Sequence, residues 1–144
     1  MLDRKIVTLL GEDAQQGNTV LAKKLNVSSA TIRQRVKKLV YSGLLSIVSV
    51  ADPVLLGLPL SVVLALDVAG EKSELVIKEL TRRPEISWVS ATTGPFDIIA
   101  IARVRSLVSL YSFLTNELAL VDGIKDVQSF VCLNSEKGHR TFSF

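Results

Sequence analysis

The chain has one cysteine, Cys132, and one histidine, His139, in 144 residues. A lone cysteine excludes a disulfide framework and a cysteine-based zinc site, and no other metal site is expected. A lone histidine near the C-terminal end leaves almost nothing for a nucleophile with a histidine base, so no catalytic residue is expected. Long hydrophobic runs are missing as well. The longest charge-free apolar stretch, residues 53–66, contains two prolines and is too short and too broken to span a bilayer. Asp3, Arg4 and Lys5 stand where a signal peptide needs its apolar segment. A cytoplasmic protein with no membrane partner is expected. What the chain does have is 48% apolar and 22% charged residues, enough for a packed core in one ordinary domain or two small ones.

Acidic residues are also missing from 14 through 51. Residues 1–50 carry eight Lys/Arg against three acids, a net of +5; the remainder carries nine against eleven, a net of −2. A basic module joined to a mildly acidic one suggests a polyanion-binding head on a different body. That head reads as three helices. Asp3 is the expected N-cap of a helix over 3–11, with Ile6, Leu9 and Leu10 inside. A short helix over 19–25 follows, then a tight turn in which Asn26 suits left-handed backbone angles. Ser28 is placed to cap a third helix over 29–42, whose inner stripe is Ile32, Val36 and Leu39 and which stops at Gly43. Its outer face carries Thr31, Arg33, Gln34, Arg35, Lys37 and Lys38. Lys23, Ser28 and Ser29 flank the turn. Thr and Gln suit base edges and the cations suit phosphates, the pattern of a helix-turn-helix. Residues 44–50 alternate weakly and read as a strand, the wing of such a domain.

Asp52-Pro53 and Gly57-Leu58-Pro59 mark a linker over 51–60. Beyond it, over 61–133, strand, helix and strand occur twice: strands at 61–68, 86–93, 97–104 and 125–133, helices at 71–83 and 106–120. This is the ferredoxin-like βαββαβ order, so the whole is an α+β chain of two domains. Val76, Ile77 and Leu80 face inward on one helix; Leu107, Leu110, Tyr111, Leu114 and Leu118 are expected to do so on the other. Trp88 is expected in the core or an interface. The first and third strands are apolar on both faces, so two copies are expected to pair through their sheets. Gly94 and Pro95 make a turn whose amides suit a carboxylate. Asp97 suits either an ammonium group or a turn-capping role. Thr92, Thr93, Gln128 and Ser129 are polar residues in apolar strands and candidates for a small polar pocket at an interface; Phe96 is a further effector-site candidate, though packing suits it better than specificity. Residues 134–144 form a tail with Phe142 and Phe144.

The run LAKKLNVSSATIRQRVKKL at 21–39, Leu2-Asp3 before it, the linker residues Asp52, Pro53 and Gly57, and TGPFD at 93–97 together resemble the Lrp/AsnC family. Ser28 and Arg35 match family positions, and TGPFD matches its Gly-x-x-Asp. Gly17 stands where the family has a Ser or Thr cap, Gln15 where it has Arg, Val20 where it has Glu, and Asp122 where it has Pro. The resemblance implies a double-stranded DNA partner, and dimers that associate into tetramers or octamers. It also implies an effector, often an amino acid, bound between dimers near the Gly-x-x-Asp loop. Two other readings remain at this stage. One is an amino-acid sensor without DNA binding, against which the basic head argues. The other is an enzyme like sirohaem decarboxylase, for which the only strand-borne cation is Arg103, at a strand end.

Overall fold

Apolar residues at helical spacing build the first compact unit, Met1–Ser49. The protein was analysed as a computed structural model, which describes residues 1–49 and 51–134. Helices α1 (Leu2–Glu12), α2 (Asn18–Leu25) and α3 (Ser29–Tyr41) bury Ile6, Leu10, Leu21, Ala22, Ile32 and Leu39 in one cluster. Asp3 is not the cap of α1. Met1 holds that position without a side-chain bond, and Asp3 falls in the first turn, where its carboxylate faces the positive end of the helix. From there it pairs with Arg35 of α3 at 3.4 Å. Gln16 fastens the loop after α1: its amide donates to the Leu9 carbonyl at 2.9 Å and its oxygen accepts from Lys24 at 2.7 Å.

Of the strand expected over 44–50, residues 44–49 form none. Residues 44–49 pair with nothing as a strand, and Leu44, Ile47 and Val48 are exposed. Alternating apolar residues become a strand only where a neighbouring backbone supplies the hydrogen bonds. Val50 lies outside the described residues, as do His139, Phe142 and Phe144 of the tail. The stretch expected as a linker is folded into a turn. The Asp52 carboxylate accepts from the Val54 amide at 2.9 Å, and the Leu58 amide donates to the Pro53 carbonyl at 2.8 Å.

The second unit begins at residue 50 and is built on one antiparallel sheet. Its strands are β1 (Leu60–Val68), β2 (Ile86–Ala91), β3 (Ile98–Val104) and β4 (Ile124–Val131), in the order β2-β3-β1-β4. This is the ferredoxin-like arrangement expected, with β2 and β4 each ending two residues early. Helices α4 (Ser73–Thr81) and α5 (Leu107–Asn116) cover one face. Val62, Leu64, Leu66 and Val68 of β1 and Ile98, Ala100, Ala102 and Val104 of β3 join Val76, Leu80, Leu110, Phe113 and Leu118 in one buried cluster. The helix expected over 71–83 divides into a 3-10 turn at Gly70–Lys72 and the shorter α4; the one expected over 106–120 divides into α5 and a 3-10 turn at Leu118–Leu120. Gly123 closes the turn before β4 with φ +103, and a Cβ there would lie 2.7 Å from the Lys72 Cβ. Asp122 beside it takes both hydrogen bonds of the Lys72 ammonium at 2.8 Å and raises that amine above its ordinary pKa.

The inner stripe of α5 differs from the one expected. Leu107 and Tyr111 are 62% and 69% exposed, whereas Phe113 is only 2% exposed. Ser106 caps the helix by accepting from the Ser109 amide, and packing on the sheet turns Leu110, Phe113 and Leu114 inward. Phe113→Ala is expected to cost about 3–5 kcal/mol of stability. Tyr111→Ala is expected to change it by less than about 0.5 kcal/mol. Urea denaturation of the two variants checks the contrast.

Candidate functional site

The elbow between α2 and α3 is built by two residues. Asn26 follows α2 at φ 54 and ψ 49, the one non-glycine residue with positive φ among those described. Ser28 then caps α3: its hydroxyl accepts from the Thr31 amide at 3.0 Å and pairs with the Thr31 hydroxyl at 2.8 Å. Thr31 is half-buried and engaged in the cap, which takes it out of the set facing outward. Lys23, Ser28 and Ser29 do come together, lining a depression at the elbow with Thr19 and Asn26. Thr19 carried no signal in the sequence beyond its place at the start of α2.

Along α3 the residues sort by angle, at about 100° each. Ile32 and Leu39 are buried and Val36 half-buried. Opposite them stand Gln34 and Lys37, with Arg33 and Lys38 on either flank, all exposed. Tyr41, 91% exposed, continues the line of Gln34 and Lys37 one turn on. Its spacing of seven from Gln34 was readable, but an aromatic at a helix end does not announce exposure. Arg35 stands apart: it lies beside the buried stripe and bridges to Asp3 of α1, both groups partly exposed. Its role in this unit is to brace α3 against α1.

In the second unit, residues 92–97 connect β2 to β3. Thr92 clips the loop shut, its amide donating to the Asp97 carbonyl at 2.9 Å and its hydroxyl to the Phe96 carbonyl at 2.8 Å. Gly94 takes φ +114 at the tip, which a side chain would disfavour. The Asp97 carboxylate accepts from the Val68 amide at 2.8 Å, while its own amide donates to the Leu66 carbonyl at 3.0 Å. Asp97 therefore prolongs the β1–β3 ladder past its last pair; it caps β1, not the turn. Thr93 and Gly94 are exposed and Phe96 half-buried.

The two strand residues expected to join this loop are split by the pleat. Gln128 lies across from Ala65 on the sheet face away from the helices, in the row Ser90–Ile99–Ala65–Gln128. Ser129 lies across from Leu64 and so on the helix side. One further pair was missed: Asp67 and Asp126 face each other directly on the outer side, beyond Gln128. Like charges in that position repel. They are 59 positions apart in sequence, and only the register joins them.

The outer face also carries an apolar row crossing all four strands: Trp88, Ile101, Val63 and Phe130. Trp88 is 49% and Phe130 53% exposed, so Trp88 is not in the core of this unit.

A helix-turn-helix unit followed by a ferredoxin-like unit with a clipped β2–β3 loop defines a DNA-binding regulator with a sensing domain. Residues 1–40 match the AsnC-type helix-turn-helix domain, and residues 61–142 match the Lrp/AsnC ligand-binding domain. The chain belongs to the Lrp/AsnC family: it is an effector-modulated, DNA-binding regulator of transcription. An HTH-type transcriptional regulator of Pyrococcus furiosus is 34% identical over 137 residues, 94% of this chain and 92% of that one. Another, of Pyrococcus horikoshii, is 29% identical over 94% of this chain and 87% of its own. Escherichia coli AsnC shares the fold at TM-score 0.90 and 24% identity, over 96% of this chain and 94% of that one. A Neisseria meningitidis regulator solved with L-methionine shares it at 0.90 and 22%, over 98% and 94%.

Asp97→Ala should leave the Val68 amide without its acceptor and cost about 1–3 kcal/mol of stability. Denaturation without any ligand reads it; an unchanged midpoint would show that the carboxylate is free for other work.

Proposed function

We propose that this chain binds a pseudo-palindromic DNA site as a dimer and responds to an amino acid. The observation that carries the DNA reading is the line of Gln34, Lys37 and Tyr41 on α3, flanked by Arg33 and Lys38 and opposite the buried stripe. In this reading Gln34 and Lys37 meet base edges, and Arg33, Lys38 and Lys23 neutralise phosphates. Ser28 and Ser29 set the entry of α3 into the groove. Thr31 acts through the cap, and Arg35 holds the helix in place and adds charge at the rim.

Pairing supplies the second half of the site. The outer row Trp88–Ile101–Val63–Phe130 is an exposed apolar surface on a sheet, which favours association with a like surface. A dimer formed there, associating further into tetramers or octamers, would present two α3 helices to major grooves roughly 34 Å apart.

The amino-acid reading rests on loop 92–97 and on the L-methionine bound by the Neisseria meningitidis regulator. Thr92, Thr93, Gly94, Phe96 and Gln128 would contact the effector at an interface between dimers. Asp97 supports the loop from behind. Asp67 and Asp126, which repel one another, would be relieved by an ammonium group nearby. The effector then acts by binding one assembly state more tightly than another. No catalysis or metal cofactor belongs to this reading, and its setting is the cytoplasm.

Fluorescence anisotropy on the DNA upstream of the protein's own gene tests the head. Lys38→Ala should reduce the slope of log affinity against log salt by about 1, and Gln34→Ala should weaken site preference with little change in that slope. If both variants bound like the parent, α3 would not be the reading helix. Ile101→Asp should halve the mass seen by light scattering, because a buried unpaired charge is costly. A parent chain that stays monomeric when concentrated would rule out pairing through the sheet.

A further inference from the structure

At the end of the sheet remote from loop 92–97, a cleft of about 560 Å³ opens between the α4–β2 connection and the close of β3. Loop residue Asp97 and cleft residue Arg103 are six positions apart along one strand, about 20 Å. Two oppositely charged side chains line the cleft, and each has a buried atom without a hydrogen-bond partner: Arg103 at Nε and Glu85 at Oε2. They are neighbours across the strands, the Arg103 amide donating to the Glu85 carbonyl at 2.7 Å, yet their side chains form no ion pair. Buried polar atoms are ordinarily satisfied; these two are covered and do not themselves meet a guest, but both residues also line the cleft, where a guest carrying both complements would meet their remaining guanidinium and carboxylate atoms.

The charge balance narrows the guest. Arg83 is paired with Glu117 and Arg82 with Glu79, each at 2.8 Å. Arg103 and Arg105 have no ion-pair partner among the described residues, and Glu85 is the only acid lining the same cleft that is left unpaired. The unmatched charge is two positive and one negative. A simple dianion would match the arginines but face the Glu85 carboxylate. A neutral amino acid would leave one arginine unmatched.

We propose that this cleft binds an acidic amino acid, its two carboxylates on Arg103 and Arg105 and its ammonium on Glu85. The site is separate from the loop 92–97 reading and does not depend on it. It places a second input on the same domain, at the opposite end of the sheet.

Isothermal titration of the full chain with L-glutamate, glutarate and L-leucine tests the assignment. L-Glutamate should bind saturably, and the other two at least about ten-fold more weakly, each lacking one matched group. Arg103→Met and the more exposed Arg105→Met should each weaken L-glutamate by about ten-fold or more, with unfolding midpoint and ligand-free DNA affinity unchanged. Glu85→Gln should weaken L-glutamate but strengthen glutarate, a reversal that a merely structural residue would not produce. Absence of L-glutamate binding overturns the proposal. So does binding that all three variants leave intact, which would place the amino acid elsewhere, or a Glu85→Gln variant whose preference does not shift. None of these outcomes touches the DNA reading, which the anisotropy series measures separately.

Discussion

Strands β1 and β3 are apolar on both faces, and the ligand-binding domain is arranged around that constraint. One face takes α4 and α5 and becomes core, where each buried Leu or Ile contributes about 1.5–3 kcal/mol. The other face has no element of this unit to cover it. Val63, Ile99 and Ile101 remain half-buried there, framed by the larger and more exposed Trp88 and Phe130. A sheet built this way cannot satisfy both faces alone, so the same pattern that folds the domain also predisposes it to self-association. The polar groups of the unit are pushed to the two ends of the strands. Loop 92–97 and the Asp67–Asp126 pair lie at one end, and Arg103, Arg105 and Glu85 at the other.

The DNA-binding unit solves a different problem, holding a short cationic helix steady with very little core. Asn26 bends the chain, Ser28 caps α3, and the Asp3–Arg35 pair braces it from α1. The brace is partly exposed, so it contributes orientation more than stability. The consequence is a division of work along α3. Cations near the buried stripe hold the helix, and those opposite it are free for a partner.

Much of this was legible from residue order. Helical spacing placed Ile6, Leu21, Ile32 and Leu39 inside, a preference for left-handed angles placed Asn26 at the elbow, and a hydroxyl before a helix placed Ser28. The strand order of the second unit followed from its repeated pattern. The failures have a common cause. Residues 44–49 alternate as a strand should, but a strand is made by its neighbour. Asp3 looked like a cap because it is the right residue type, yet the cap falls two residues earlier, at Met1. Tyr111 and Phe113 are both aromatic and two apart, and only the packing of α5 on the sheet decides which one turns inward.

The residue pattern by itself determined the two modules, their fold classes, the cation-faced helix α3 and the β2–β3 loop. Each depends on local periodicity or on a backbone angle that few residues accept. Tertiary structure alone decided which polar residues share a place. Sheet register separated Gln128 from Ser129, joined Asp67 to Asp126, and carried Asp97 to the Val68 amide. It also brought Glu85 beside Arg103 and left both unpaired. Register depends on how distant strands pair, and a shift of one residue would move every one of these side chains to the other face.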